Sequence, residues 1–96
     1  MNIAGRSLLE EFCAKHTDAR PWVENWLSDT EAATWMKPQD IKHRYSSVSF
    51  LPNNAVIFNV KGNDYRLEVT CAYQSHVVVV KWVGTHAEYD ERNRKR

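Results

Sequence analysis

The stretch NVKGNDYRLEV, residues 59–69, decides the fold, because it joins two alternating runs through a glycine turn. Side chains on a strand point alternately to the two faces of a sheet, so this pattern predicts an antiparallel hairpin. Tyr65, Leu67 and Val69 share one face, which we interpret as core. Arg66 lies on the opposite face, which is either solvated or a working surface.

The alternating pattern continues on both sides of this hairpin. Three short linkers, PNN, KGN and QS, are compatible with an antiparallel meander. The sequence therefore predicts four strands: SVSFL (47–51), AVIFNV (55–60), DYRLEVTCAY (64–73) and HVVVVKWV (76–83).

The N-terminal third has helical periodicity instead. Apolar residues between Leu8 and Cys13 recur at helical spacing, and Ser7 with Glu10 has the spacing of a capping box. A helix start near Ile3 fits the pattern as well. The sequence predicts a first helix in this region.

A second helix is predicted to follow a short loop. Asp18 is its expected N-cap, Pro21 suits its first turn, and Pro38 ends it near Met36. Its apolar stripe, interpreted as core, consists of Trp22, Val23, Trp26, Leu27, Thr30, Ala33 and Thr34.

The turn that follows, KPQDIKHRY, occupies residues 37–45. Its basic residues are either a phosphate-facing edge that binds RNA or ordinary solvated charge: Lys37, Lys42, His43 and Arg44.

These elements predict an α+β fold of two layers. Both helices must lie on one face of an antiparallel sheet of about four strands to bury its apolar side. Thr85 and Glu88 repeat the capping-box spacing directly after the last strand, which predicts a short C-terminal helix beginning at His86. Residues 1–96 suffice for a single domain with its own core.

Composition excludes several classes of protein. The longest apolar run is shorter than the roughly 20 residues of a membrane-spanning helix, and the N-terminus does not resemble a signal peptide, so we expect a cytoplasmic protein. Cys13 and Cys71 stand in apolar segments and are interpreted as buried thiols rather than a disulfide. The four histidines are scattered singly, so neither a metal site nor a cofactor is predicted.

Charge is unevenly distributed along the chain. Residues 1–36 have a net charge of −3, whereas residues 37–96 have a net charge of +4. A basic C-terminal half suits a polyanion such as RNA. Four of its cations belong to RNRKR, residues 92–96, so the segment 91–96 is either a disordered, solvated tail or part of that surface.

Candidate functional residues gather around the predicted C-terminal helix. His86 stands at the helix N-terminus, where the dipole disfavours a protonated imidazole and free N–H groups suit an anion. Tyr89 and Asp90 fall on the same helix face. Each also has a simpler interpretation: His86 as a surface residue, Tyr89 as a core-capping ring and Asp90 as a solvated charge.

Two cations on adjacent predicted strands add to this group. Arg66 either serves the site or pairs with Glu68 or Glu88, and Lys81 either serves the site or extends its stem over apolar neighbours. All four groups, Arg66, Lys81, His86 and Tyr89, converge if the two strands are neighbours. Their conjunction favours a site.

At this point the sequence resembles a known family. VIFNVKGNDYRLEV (56–69) followed by VKWVGTHAEYD (80–90) is similar to the signature of HigB-type toxins of bacterial type II toxin–antitoxin systems, relatives of the RelE and ParE toxins. The resemblance implies a RelE-like fold. It further implies a metal-independent endoribonuclease, an mRNA interferase that cleaves mRNA on the translating ribosome in several relatives.

The resemblance also implies roles and partners. Arg66 would stabilise charge on the phosphate with Lys81 as its partner, while His86 acts as acid or base and Tyr89 as second proton carrier or stacking platform. Asn63 and Lys61 in the glycine turn would contact RNA. A HigA-type helix-turn-helix antitoxin would form a hetero-oligomer with the chain and hold it inactive.

Two other functions remain open at the level of sequence. The first is a ParE-like toxin that binds DNA gyrase without RNA chemistry, since a fold does not determine function. The second is a nucleic-acid-binding module without catalysis, which a basic half alone would permit.

Overall fold

A computed structural model describes residues 1–94 and contains one five-stranded sheet. Its strand order is β1-β5-β4-β3-β2, with β1 parallel to β5 and the other pairs antiparallel. All four predicted strands are confirmed, and β1 is an additional edge strand that the sequence did not predict. The strands are β1 Asn2–Ala4, β2 Ser49–Leu51, β3 Ala55–Val60, β4 Tyr65–Ala72 and β5 Val77–Thr85.

Four α-helices accompany the sheet: α1 Arg6–Lys15, α2 Arg20–Ala32, α3 Pro38–Arg44 and α4 His86–Arg94. A short 3-10 turn, Thr17–Ala19, joins α1 to α2. The segment predicted as a turn after Pro38 is therefore a helix of 7 residues. The predicted basic tail is helical as far as Arg94, and residues 95–96 lie outside the described part of the chain.

The first three helices and one face of the sheet enclose the core. Leu67 and Val69 of β4 are fully buried on this side and belong to one cluster with Trp26 of α2. The α+β fold class and the packing of the N-terminal helices on one face are thereby confirmed. The helical members of the cluster are Leu9, Phe12, Cys13, Val23, Trp26 and Ile41.

The helix boundaries differ from the prediction in three places. Ser7 lies inside α1, whose N-cap is Gly5 at φ 86°, so no capping box forms there. A side chain at Gly5 would place its Cβ 2.8 Å from the carbonyl oxygen of Val80, which explains the glycine. The N-cap of α2 is Ala19 rather than Asp18, and α2 ends at Ala32 because Ala33 is extended.

Strand β5 contains a β-bulge that shapes the opposite face of the sheet. Glu68 pairs with Trp82 and Val69 with Val80, which leaves Lys81 as the extra residue. Because Val80 and Val83 both pair with core-facing residues of β4, Lys81 and Trp82 are turned together towards the other side. We call the face of the sheet opposite the core the outer face.

Both cysteines are buried and free, as the sequence predicted. Burial raises the pKa of the Cys71 thiol to about 11 and also raises that of Cys13. Both side chains therefore remain neutral thiols near pH 7 and behave as small apolar residues.

Candidate functional site

Helix α4 lies against the outer face and brings its side chains to β4 and β5. The ring of Tyr89 packs on Trp82, with centroids 6.0 Å apart. Further along the helix, the Arg92 guanidinium lies 5.2 Å from the centroid of the Trp82 ring and forms an ion pair with Glu68. The outer face is therefore a structured surface, and α4 is anchored at both ends.

Arg66 lies on this face at the end of the sheet where the glycine turn begins. Its guanidinium donates to the carbonyl oxygens of Asn63 at 3.2 Å and Tyr65 at 3.1 Å. The two carboxylates considered as partners are engaged elsewhere: Glu68 binds Arg92 and Glu88 binds Thr85. In residues 1–94 the guanidinium has no carboxylate partner, so its charge is available to a ligand.

The capping box predicted at the start of α4 is confirmed. The backbone N–H of Thr85 donates to Glu88 Oε1 at 2.8 Å, and the N–H of Glu88 donates to Thr85 Oγ1 at 3.1 Å. The bond from the Thr85 amide lowers the pKa of Glu88 below its usual value. This box fixes the angle at which α4 leaves β5.

The same contacts correct the predicted anion site at this helix end. The N–H of His86 donates to the carbonyl oxygen of Asp64 at 3.1 Å, so it is not free for a ligand. Thr85 and Glu88 also satisfy their N–H groups internally, and the carboxylate occupies the place expected for an anion. These bonds consequently fix the N-terminus of α4, and with it the position of His86.

His86 has a partner that the sequence left as a solvated charge. Its Nε2 lies 3.1 Å from Asp90 Oδ2, and the two side chains remain 48% and 51% exposed. This carboxylate stands beside the ring on the same face of α4. The pair leaves an imidazole that a substrate can reach and that can act as an acid or as a base.

Gly84 is a residue of the site that sequence reasoning did not single out. A Cβ at this position would lie 2.6 Å from Trp82 Cζ2 and 2.7 Å from Cη2, so the indole lies directly over the glycine. Gly84 pairs with Arg66 across the sheet. Only the close spacing of a tryptophan and a glycine on one strand face could have indicated this contact.

The glycine turn joins Arg66 and His86 at one end of the molecule. Arg66 binds the carbonyl of Asn63, and His86 binds the carbonyl of the next residue, Asp64. Arg66 also lies opposite Gly84, two positions before His86 in the sequence. The structure therefore brings together Arg66, Asn63 and His86, with Tyr89 on the adjoining turn of α4.

Two predicted residues of this group have other surroundings. Lys61 donates to Asp18 Oδ2 at 2.8 Å, and this bond raises the pKa of Lys61. Lys81 is exposed on the bulge of β5, where it lines a groove with Thr70 and Arg92 rather than with Arg66.

Lys42 and Arg44 lie on the opposite side of the sheet from Arg66. Their helix, α3, buries Ile41 in the core, and Tyr45 packs edge-on against Phe58 at 5.2 Å. Arg44 forms an ion pair with Asp29 of α2. The structure does not bring these two cations to the outer face.

Two further classes of site were sought in residues 1–94. None of the helices there is long and apolar enough to cross a membrane. No group of three or more His, Cys, Asp and Glu side chains in that range comes together in a way that could hold a metal ion.

Comparison with known proteins gives one family. A family model for the HigB toxin, described as the RelE-like toxic component of a toxin–antitoxin system, matches residues 19–92. The match includes the glycine turn, Arg66 and most of α4. No curated protein matches the chain significantly.

Proposed function

Because the chain belongs to the HigB family of RelE-like toxic components of toxin–antitoxin systems, we propose that it is an mRNA interferase. The reaction is metal-independent cleavage of mRNA on the translating ribosome in the cytoplasm. One observation carries the proposal: the Arg66 guanidinium, which has no carboxylate partner within residues 1–94, and the backbone of His86 both bond to the glycine turn. Such a pair supplies the charge and the proton transfer that RNA cleavage requires.

The chemistry needs three groups. A base takes the proton of the ribose 2′-hydroxyl as its oxygen attacks the adjacent phosphorus, and an acid protonates the departing 5′-oxygen. The products are a 2′,3′-cyclic phosphate and a free 5′-hydroxyl. While the phosphorus is bonded to both the 2′-oxygen and the 5′-oxygen, positive charge must stabilise the negative charge on its non-bridging oxygens.

The residues divide these tasks by their contacts. Arg66 binds the non-bridging oxygens, because a guanidinium stays protonated and offers two parallel donors. His86 acts as the acid or the base, with the Asp90 carboxylate 3.1 Å from its Nε2. Tyr89 carries the second proton or stacks on a base. Asn63 holds the Arg66 guanidinium through its carbonyl oxygen.

The family implies an antitoxin partner. We propose that this partner is a HigA-type helix-turn-helix protein that forms a hetero-oligomer with the chain. It would inhibit by covering the outer face or by blocking access to the ribosome. Expression of the chain alone should then arrest growth, and co-expression of the antitoxin should restore it.

The decisive experiment compares Arg66→Ala and His86→Ala with the wild-type protein in a translating extract. Each variant should cleave mRNA about 100-fold more slowly or worse, since groups that stabilise developing charge typically contribute about 2.7–4 kcal/mol. Lys37→Ala, an exposed lysine next to α3, is the matched control and should cleave normally. Folded variants with wild-type cleavage would remove the site assignment.

The same preparations separate the two competing functions. If the protein were a gyrase-binding toxin, the Arg66→Ala and His86→Ala variants would still arrest growth, and mRNA would stay intact. If it were an RNA-binding module without catalysis, even the wild-type protein would bind mRNA without cleaving it. Primer extension on translating and non-translating templates reports which outcome holds.

A further inference from the structure

The largest groove described on the outer face lies away from Arg66 and His86. Its volume is about 560 Å³. Apolar groups form part of its wall, and polar groups from the β2–β3 turn, β4, β5 and α4 form the rest. The lining residues that matter here are Pro52, Asn53, Glu68, Thr70, Lys81 and Arg92.

The charge of this groove is positive because of one residue. Arg92 and Glu68 form an ion pair within it, so their charges offset each other. Lys81 is exposed and forms no ion pair with any residue from 1 to 94. Lys81 follows the core-facing Val80 in β5 and therefore points to the outer face, and the bulge places Trp82 on the same side.

The groove and the candidate site lie on one continuous path. Glu68 and Thr70 follow Arg66 on the same face of β4 by two and four residues, which corresponds to about 7 and 13 Å at 3.3 Å per residue. Helix α4 spans the same interval, because it starts at His86 and its Arg92 lines the groove. A single strand of RNA held at Arg66 would reach Lys81 within a few nucleotides.

We propose that this groove binds the RNA backbone at a phosphate a few nucleotides from the cleaved bond. Lys81 supplies the cation for that phosphate, and Thr70 and Asn53 supply hydrogen-bonding groups beside it. Pro52 offers an apolar surface for a ribose or base. Lys81 is thus a substrate-binding residue outside the reaction centre. This inference rests on the proposed function, because it assumes an RNA substrate.

The first test measures binding without cleavage. Fluorescently labelled 2′-O-methyl RNA of twelve nucleotides lacks the attacking hydroxyl, and its affinity is measured by anisotropy over a range of salt concentrations. Lys81→Ala should weaken binding severalfold at low salt and reduce the slope of log K against log salt by about 0.7, the value for one phosphate on a single strand. Lys37→Ala is the control of equal charge and should leave the slope unchanged.

The second test separates the groove from the reaction centre. Cleavage is measured on ribosomes programmed with mRNA, the substrate of the proposed reaction. Lys81→Ala should raise KM severalfold and leave kcat unchanged, because it weakens substrate binding away from the reacting atoms, whereas Arg66→Ala should lower kcat. Thermal unfolding confirms that each variant is folded.

Each other outcome has a definite meaning. An unchanged salt slope in Lys81→Ala would overturn the groove assignment and leave the proposed function intact. A loss in kcat with KM unchanged would move Lys81 to the reaction centre, which also overturns the inference. If the wild-type protein cleaved no mRNA on ribosomes, the proposed function would fail and the inference with it.

Discussion

Gly84 has no side chain beyond a hydrogen atom, and this leaves the space in which the Trp82 indole lies. In a Gly84→Ala variant, the new methyl group would stand 2.6 Å from the ring, well inside contact distance. The ring must move, and Tyr89 and Arg92 lose the surface on which they pack. We expect a loss of about 1–3 kcal/mol in the free energy of unfolding, typical of overpacking, measured by urea denaturation.

A second substitution checks the cause of that loss. Trp82→Leu removes the ring that the methyl group meets, so the double variant Gly84→Ala, Trp82→Leu should be more stable than the sum of the single effects. Strict additivity would show that Gly84 is needed for another reason. Near-ultraviolet circular dichroism of the variants reports whether the indole environment has changed.

Asp90 shows what a residue pattern leaves undetermined. A spacing of four positions places Asp90 and His86 on one helix face, but an exposed pair at this spacing is often not bonded. In the structure, Nε2 of His86 lies 3.1 Å from Oδ2 of Asp90. The sequence alone gave the residue types and the shared helix face, but it could not show that the two side chains approach each other.

Two segments with the same capping-box spacing behave differently at the scale of the element. Thr85 and Glu88 form both reciprocal bonds at the start of α4, whereas Ser7 lies inside α1. Thr85→Ala should therefore cost about 1 kcal/mol of unfolding free energy, the usual loss for a cap. Ser7→Ala, the matched control, should stay within about 0.5 kcal/mol. Urea denaturation of both variants measures the difference.

The length of each element decided how well the sequence could predict it. Strands β3, β4 and β5 were found because six to nine residues of alternation leave few other structures. Strand β1 has three residues, too few for any period, and it exists only because β5 offers a free edge for parallel pairing. Helix α3 was underestimated for a similar reason, since its 7 residues bury only Ile41.

Asp18 links distant elements and makes the whole molecule sensitive to acid. Bonds from Lys61 and then from the Tyr65 hydroxyl hold the pKa of the Asp18 carboxyl below its usual value. The stabilisation from a depressed pKa is present above the unfolded value, about 3.9, and is lost as the pH falls through the folded value. The melting temperature should accordingly decrease as the pH is lowered below about 4.

Variants test this assignment directly. Asp18→Asn removes the carboxylate, so its melting temperature should decline less steeply with acidification than that of the wild type. Tyr65→Phe removes one of the two donors and should shift the decline in the same direction by a smaller amount. Parallel melting curves for all three proteins from pH 6 to pH 3 would contradict the role of Asp18.

Strand β1 also affects the order in which the chain folds during synthesis. Asn2 pairs with Val77, a partner 75 positions later in the sequence. Contacts of such long separation slow folding, because a large loop must close before they form. A nascent chain therefore waits for β5 before its first strand has anything to pair with, and α4, which carries His86, emerges later still. RNA cleavage that depends on His86, as proposed above, can arise only after both β5 and α4 have left the ribosome.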